Sequence, residues 1–335
     1  HKFFKKGAGT IKALKMMQQT RIIQEQLRIF EQYLEQSVVS EDPLISSTAL
    51  HILKAGGKRV RPSFAIAAAQ VNGCEIEKLL PLMTALELIH TSSLVHDDVI
   101  DGADTRRKMP TINALYGNKT AIHIGDFIVG RSFQIISYYK DTRILDSFNK
   151  TVLEMCRGEL KQLADAYRIE QNVRDYFYRI QRKTALLFAT SCECGACVSG
   201  ASDEQIGILR RYGYYLGMAF QITDDILDMV SEESVLGKPV GSDLRQGNLS
   251  LPVIYSLKHS HWKDKLGQFI LDSKENPEQI EKIIAMVNQA GGLDYAEDIA
   301  DRFSAKATAE IKKLPKSDAV LVLKNVASLL AKRKY

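Results

Sequence analysis

The chain has 335 residues, of which 45% are apolar and 25% charged, so it is globular and long enough to bury a core. Its net charge of +5 comes without a basic stripe interleaved with aromatics, which excludes a nucleic-acid surface but suits anionic ligands. Five cysteines, an odd number, argue for a reducing compartment over a disulfide framework, so a cytoplasmic location is expected, and no stretch approaches the ~18 apolar residues of a membrane span.

In chain order, residues 1–12 carry Lys2, Lys5, Lys6 and Lys12 and no acid, and are expected to be a disordered or expression-derived end. Helical periodicity follows over 14–37. Ser46-Ser47 is expected to cap a helix stopped by Gly56-Gly57, and Pro62 to open one running to Asn72. Residues 75–100 read as one long apolar helix, followed by helices over 120–140, 144–167, 172–199, 202–231, 251–258, 277–289, 293–312 and 317–333, the last capped by Ser317. No strand alternation, fixed-period repeat or linker is evident. The expectation is a single all-α domain over 1–335, with loops at 102–119 and 232–250 that each follow a cluster of aspartates.

Those clusters carry the chemistry. Asp97 and Asp101 lie four apart, on one helix face, with Asp98 beside them, and Asp224, Asp225 and Asp228 repeat the DDxxD spacing. Like charges four apart cost a helix about 0.2–0.5 kcal/mol per pair. One such cluster would pass as a solvated acidic helix end. Two, each inside an apolar helix, call for a hard divalent cation, and carboxylate oxygens completed by water and phosphate describe magnesium. Cations accompany them: Lys58, Arg59 and Arg61 in GGKRVRP, then Arg106, Arg107, Lys183 and Lys238. Together with the aspartates they describe a site for two polyanions, one bridged by metal and one held by Lys and Arg.

The ordered set GGKRVRP, DDVIDGADTRR, KT and FQITDDILD resembles the trans-isoprenyl diphosphate synthases, and among them the large catalytic subunits of bacterial hexaprenyl and heptaprenyl synthases. The resemblance implies an all-α fold with the two aspartate motifs facing each other across a cavity. It implies magnesium-dependent condensation of an allylic diphosphate, farnesyl or geranylgeranyl, with successive isopentenyl diphosphates to a medium or long chain for a quinone side chain. By motif position, Asp97, Asp98, Asp101, Asp224, Asp225 and Asp228 would bind magnesium. Arg106, Lys183, Gln221 and Lys238 would contact the allylic diphosphate, and Lys58, Arg61, His90 and Arg107 isopentenyl diphosphate. Thr184 and Gln221 would lie near the developing carbocation. His96 reads as a core histidine.

Ser92 and Ser93, five and four residues before Asp97, stand where short-chain members place a bulky aromatic, and the two-residue insertion of some short-chain types is absent. Both features imply an open elongation tunnel. Asn248 and Ser250 depart from the lysine and threonine common in the family, and Lys108 from a frequent glycine. The CxCxxC of Cys192, Cys194 and Cys197 has no second Cys/His set and reads as a small-residue packing face. The alternatives are a geranylgeranyl synthase, a terpene cyclase of the same fold, which would normally alter the second DDxxD and would not need GGKRVRP, or a non-catalytic subunit, which could lose aspartates. A homodimer, or a heterodimer with a small regulatory subunit, is expected, with transient membrane contact for product release.

Overall fold

The computed structural model describes residues 15–18, 20–230, 240–259 and 261–331. Helices dominate, as the periodicity predicts. In chain order they are α1 (Arg21–Ser37), α2 (Pro43–Lys54), α3 (Val60–Ala69), α4 (Ile76–Ile100), α5 (Ile112–Ile136), α6 (Thr142–Asp165), α7 (Val173–Ile180), α8 (Leu186–Val198), α9 (Asp203–Val230), α10 (Ser242–Arg245), α11 (Leu251–His259), α12 (Lys263–Asp272), α13 (Gln279–Gln289), α14 (Gly292–Ile311) and α15 (Asp318–Ala331). Helix α9 joins two apolar cores. Its first half packs Leu209, Tyr212 and Leu216 into a core with α3, α4 and α8, and its second half packs Ile222, Ile226 and Met229 into another with α11, α13 and α14.

Several boundaries differ from the sequence expectation for identifiable reasons. Thr20 is extended, so the periodic run from 14 is interrupted before α1. Helix α2 starts earlier than Ser46-Ser47: Asp42 accepts from the backbone N–H of Leu44 at 2.8 Å and Pro43 takes the first helical position. Helix α12 lies in a stretch to which the periodicity assigns no helix. Ser317 does cap the last helix, its hydroxyl accepting from Val320 N at 3.2 Å.

Helix α4 contains Pro81, yet runs on unbroken. Where Leu82 N–H would bond the Lys78 carbonyl, the Tyr139 hydroxyl is inserted: it accepts from Leu82 N at 3.0 Å and donates to Lys78 O at 2.6 Å. The opened ladder is thereby satisfied. Cys192, Cys194 and Cys197 are buried, and a Cβ on Gly195 among them would lie 2.5 Å from the Ala65 carbonyl of α3, which explains the small residues there.

Within the expected loop 102–119, Thr105–Arg106 and Met109–Pro110 form a two-residue-strand hairpin, β1 and β2, pairing Arg106 with Met109. Its turn residues, Arg107 and Lys108, have φ of 53° and 68°. Positive φ at both central positions is the type I′ pattern, which favours Asn-Gly. The left-handed conformation costs a non-glycine residue about 1–2 kcal/mol, partly offset by the entropy glycine loses on folding. Lys108→Gly is therefore expected to stabilise the protein by about 0.5–1 kcal/mol in urea unfolding. A lower or unchanged midpoint would contradict the turn assignment.

Candidate active site

The first aspartates leave α4 at its C-terminal end. Asp97 is partly buried, Asp98 is 6% exposed, and Asp101 is the exposed C-cap. Burial, with repulsion from Glu159 and Asp101, pushes the Asp97 carboxyl up to about 6 against the pull of Lys183 and Arg106. Asp98 is engaged differently: Arg106 forks onto it, Nε donating at 2.8 Å to Oδ1 and Nη2 standing 2.7 Å from the same oxygen.

The second cluster lies in the last turns of α9. Asp224 is exposed, while Asp225 and Asp228 are buried. The Asp228 carboxylate accepts from Asp243 N at 3.1 Å, tying the cluster to the start of α10. Burial pushes Asp225 up to about 6, although Tyr176 and Gln221 both donate to it, at 2.6 and 2.8 Å. Thr184 completes the line, donating to Gln221 Oε1 at 2.6 Å.

Lys183 connects the two clusters. It stands on a π-helical turn, Gln181–Ala185, between α7 and α8. Its ammonium donates to Glu159 at 3.2 Å and Gln162 at 3.4 Å on α6. Burial lowers its pKa, but Glu159, Asp97 and Asp243 outweigh burial, and the pKa ends raised. The π turn is gripped from two sides. A Cβ at Gly158 of α6 would lie 2.8 Å from Arg182 Cβ, and one at Gly217 of α9 would lie 2.6 Å from Ala185 Cα. Two glycines thus let the flanking helices close on the turn that aims Lys183 and Thr184.

A separate cleft lies on the other side of Asp98, lined by His51, Gly56, Arg59, Glu87, His90, Arg106 and Arg107 among others. Burial and the four arginines 61, 107, 106 and 59 push His90 well below its ordinary value. Arg61 is lowered to about 10 by burial and by Arg107, with Glu87 opposing.

The structure thus gathers Lys183, Gln221 and Asp225 in one polar pocket, with Gln162, Arg179 and Asn248, and gathers His90 and Arg107 in the other. Arg106, expected with the allylic diphosphate, lines the second of these and holds Asp98. Lys58 stands exposed on the loop before α3. Lys238 lies outside the described residues. Ser92 is buried and its hydroxyl donates to the Gly125 carbonyl of α5 at 3.1 Å, whereas Ser93 donates to His90 O at 2.8 Å. His96, read as a core residue, is only partly buried and faces Asp126 of α5 at 3.5 Å. Sequence reading missed Glu87, Glu159, Gln162, Tyr176 and Arg179. Glu87 was discoverable as the lone acid in the apolar run TALELIH.

The site thus combines an all-α frame, two aspartate clusters that each have Lys183 nearby, and an adjoining arginine-rich cleft. The model of the polyprenyl synthetase family matches residues 42–287. Component 2 of heptaprenyl diphosphate synthase from Bacillus subtilis (strain 168) is 40% identical over 313 residues, covering 93% of this chain and 89% of that one. Octaprenyl diphosphate synthase of Haemophilus influenzae is 35% identical, covering 88% and 90%. Among solved structures, heptaprenyl diphosphate synthase from Staphylococcus aureus superposes with a TM-score of 0.86 at 34% identity, covering 92% and 98%. A polyprenyl synthase from Caulobacter crescentus, complexed with calcium and isoprenyl diphosphate, gives 0.88 at 28%, covering 96% and 98%. The chain belongs to the polyprenyl synthetase family of prenyl-transferring enzymes.

Because the Asp97 pKa is higher folded, at about 6, than its ordinary 3.8, the folded state binds the extra proton between these values. Stability from this group is therefore present below pH 4 and lost as pH rises through 6. In metal-free buffer at pH 7, Asp97→Asn should be more stable than the parent by roughly 1–2 kcal/mol, with the gap closing towards pH 4. Urea titrations at the two pH values measure this, and a gap that widens on acidification would contradict it.

Proposed function

We propose that the protein condenses an allylic prenyl diphosphate, farnesyl or geranylgeranyl, with successive isopentenyl diphosphates to a trans-polyprenyl diphosphate in the hexaprenyl-to-octaprenyl range, for a quinone side chain. The observation that carries this is the pairing of two buried-carboxylate helix ends across Lys183, next to a separate arginine-rich cleft, in a chain of this family. The similarity to heptaprenyl and octaprenyl synthases supports the chain length.

The donor set fits magnesium. Asp97 and Asp101 on one side and Asp224, Asp225 and Asp228 on the other offer hard carboxylate oxygens, and burial makes ionised Asp97 and Asp225 costly without a cation. Asp98, read from sequence as a further ligand, is occupied by Arg106. Among the described residues, no three His, Cys, Asp or Glu side chains form a metal cage by themselves. Bound there, magnesium would offset the charge on the leaving diphosphate as the allylic C–O bond ionises.

The chain's own residues would do the rest. Lys183 would exchange Glu159 and Gln162 for the allylic diphosphate. Gln221, oriented by Thr184 and Asp225, would turn its amide dipole to the allylic cation. His90, Arg61, Arg107 and Lys58 would fix isopentenyl diphosphate so that its double bond meets that cation. The proton lost after addition would pass to the released diphosphate. Ser93 shares the helical stripe of Asp97 and His90 and would face the growing chain.

Incubation with labelled isopentenyl diphosphate, farnesyl diphosphate and magnesium is expected to give elongated products, and failure with and without a partner subunit would reject the proposal. In the same assay Ser93→Phe and Ser92→Phe should shorten the product. Ser92→Phe should also lose about 1–3 kcal/mol of stability, because it overpacks the contact with Gly125.

A second subunit is part of this proposal. On α6, Leu153, Leu160 and Leu163 are 63%, 67% and 53% exposed at helical spacing, and α5 adds Leu115, Tyr116 and Ile122. The word "component" in the name of the Bacillus relative supports assembly. Leu160→Glu should convert a dimer to monomers in sedimentation, and a parent chain already monomeric would reject the homodimer. Among the described residues no helix is long and apolar enough to cross a membrane, and transient membrane contact for product release is part of the proposal.

A further inference from the structure

Glu87 is a buried carboxylate, 4% exposed, that no part of the mechanism above uses. Its Oε1 accepts from Arg59 Nη1 at 2.9 Å, while its Oε2 is buried without a hydrogen-bond partner. Arg59 is held in turn by Glu31, at 2.6 and 3.0 Å, and by the Leu53 carbonyl at 3.1 Å, which fixes a left-handed residue at the head of α3. Three further features converge on the same carboxylate. The Arg61 Nε is buried and unpartnered. A Cβ on Gly57 would lie 3.0 Å from the guanidinium nitrogens of both Arg59 and Arg107, and 3.5 Å from Glu87 Oε1. His90 follows Glu87 by three residues, on the adjoining part of the α4 surface.

We propose that Glu87 is the positioning residue of the isopentenyl diphosphate cleft: one oxygen anchors Arg59, and the other is the resident counter-charge that keeps Arg61 and Arg107 converged until a diphosphate takes them over. This rests on the proposed function. Among the described residues, the other acids paired with these arginines, Glu31 and Asp98, are already committed to Arg59 and Arg106, so without Glu87 the guanidinium groups of Arg61 and Arg107 lose the anion that attracts them both. Mutual repulsion then spreads Arg61 and Arg107 before substrate arrives, and binding must draw them back. Attraction between Glu87 and both arginines, and repulsion of Arg61 by Arg107, support this account.

Glu87→Gln keeps an acceptor for Arg59 but removes the charge, so it separates the two roles. With the parent enzyme first shown to elongate, the variant should raise KM for isopentenyl diphosphate ~10-fold or more, with KM for the allylic diphosphate within ~2-fold. Glu87→Asp, which restores the charge at shorter reach, should recover part of the loss. Thermal unfolding of each variant separates misfolding from a substrate effect. An unchanged or lowered KM for isopentenyl diphosphate, or an equal rise for both substrates, would overturn the proposal. A parent enzyme with no elongation would instead reject the function and leave nothing for Glu87 to position.

Discussion

The site depends on one electrostatic constraint: carboxylates at two helix ends are partly dehydrated, with the Lys183 ammonium near both. Two like charges a few ångströms apart repel by about 4 kcal/mol at 4 Å in surroundings of intermediate polarity. Burial adds its own penalty to each ionised group. The protein meets part of this from within. Lys183 is drawn in by Glu159, Asp97 and Asp243 together, and Asp225 takes hydrogen bonds from Tyr176 and Gln221. These contacts leave Asp97 and Asp225 still raised to about 6, so the compensation is incomplete. A site built this way favours whichever ligand brings positive charge with it.

The opposite excess is handled by the mirror of that device. The arginine cleft carries more positive charge than its surroundings neutralise, and it keeps internal acids to hold the guanidinium groups in place. Asp98 does so for Arg106 and Glu31 for Arg59. A pair stripped of one partner in such a setting loses far more than the pair contributes intact, since a buried charge is left alone. The two clefts therefore sort by sign although they share a wall: Asp98 faces the cations, while Asp97, one residue earlier, faces Lys183.

The helices were legible because long apolar stripes at a 3.6-residue period survive any detail of packing, as over 76–100 and 203–230. The π turn was not, because one extra residue per turn leaves the apolar pattern on either side intact and shows only in the backbone. The hairpin at 105–110 was too short for alternation to register. Asp42 lost to Ser46-Ser47 because several residues near a helix start can cap it, and Pro43 settles which one does. The aspartates stood out because acids at four-residue spacing inside apolar helices are costly. Glu159 did not, because a single acid in a polar stretch looks like solvated surface until the fold places Lys183 against it.

Helix α4 shows how tightly these functions are packed into one register. At 100° per residue, His90, Ser93, Asp97 and Asp101 fall on one stripe. Glu87, Thr91, Leu94 and Asp98 fall on a second, and these four line the arginine cleft together with His90 from the first. Ser92 and His96 fall on a third, packed against α5, where a Cβ at Gly125 would collide with the His96 ring. The helix is thus a common frame: a shift of one residue would turn every stripe by about a quarter of a circle and misplace aspartates, counter-ion and tunnel wall together. The inserted Tyr139 hydroxyl at Pro81 reconciles the two demands on α4. The ladder opens at Pro81, before Glu87 and so ahead of all three stripes, and the helix passes a proline while the functional turns beyond it keep a regular register.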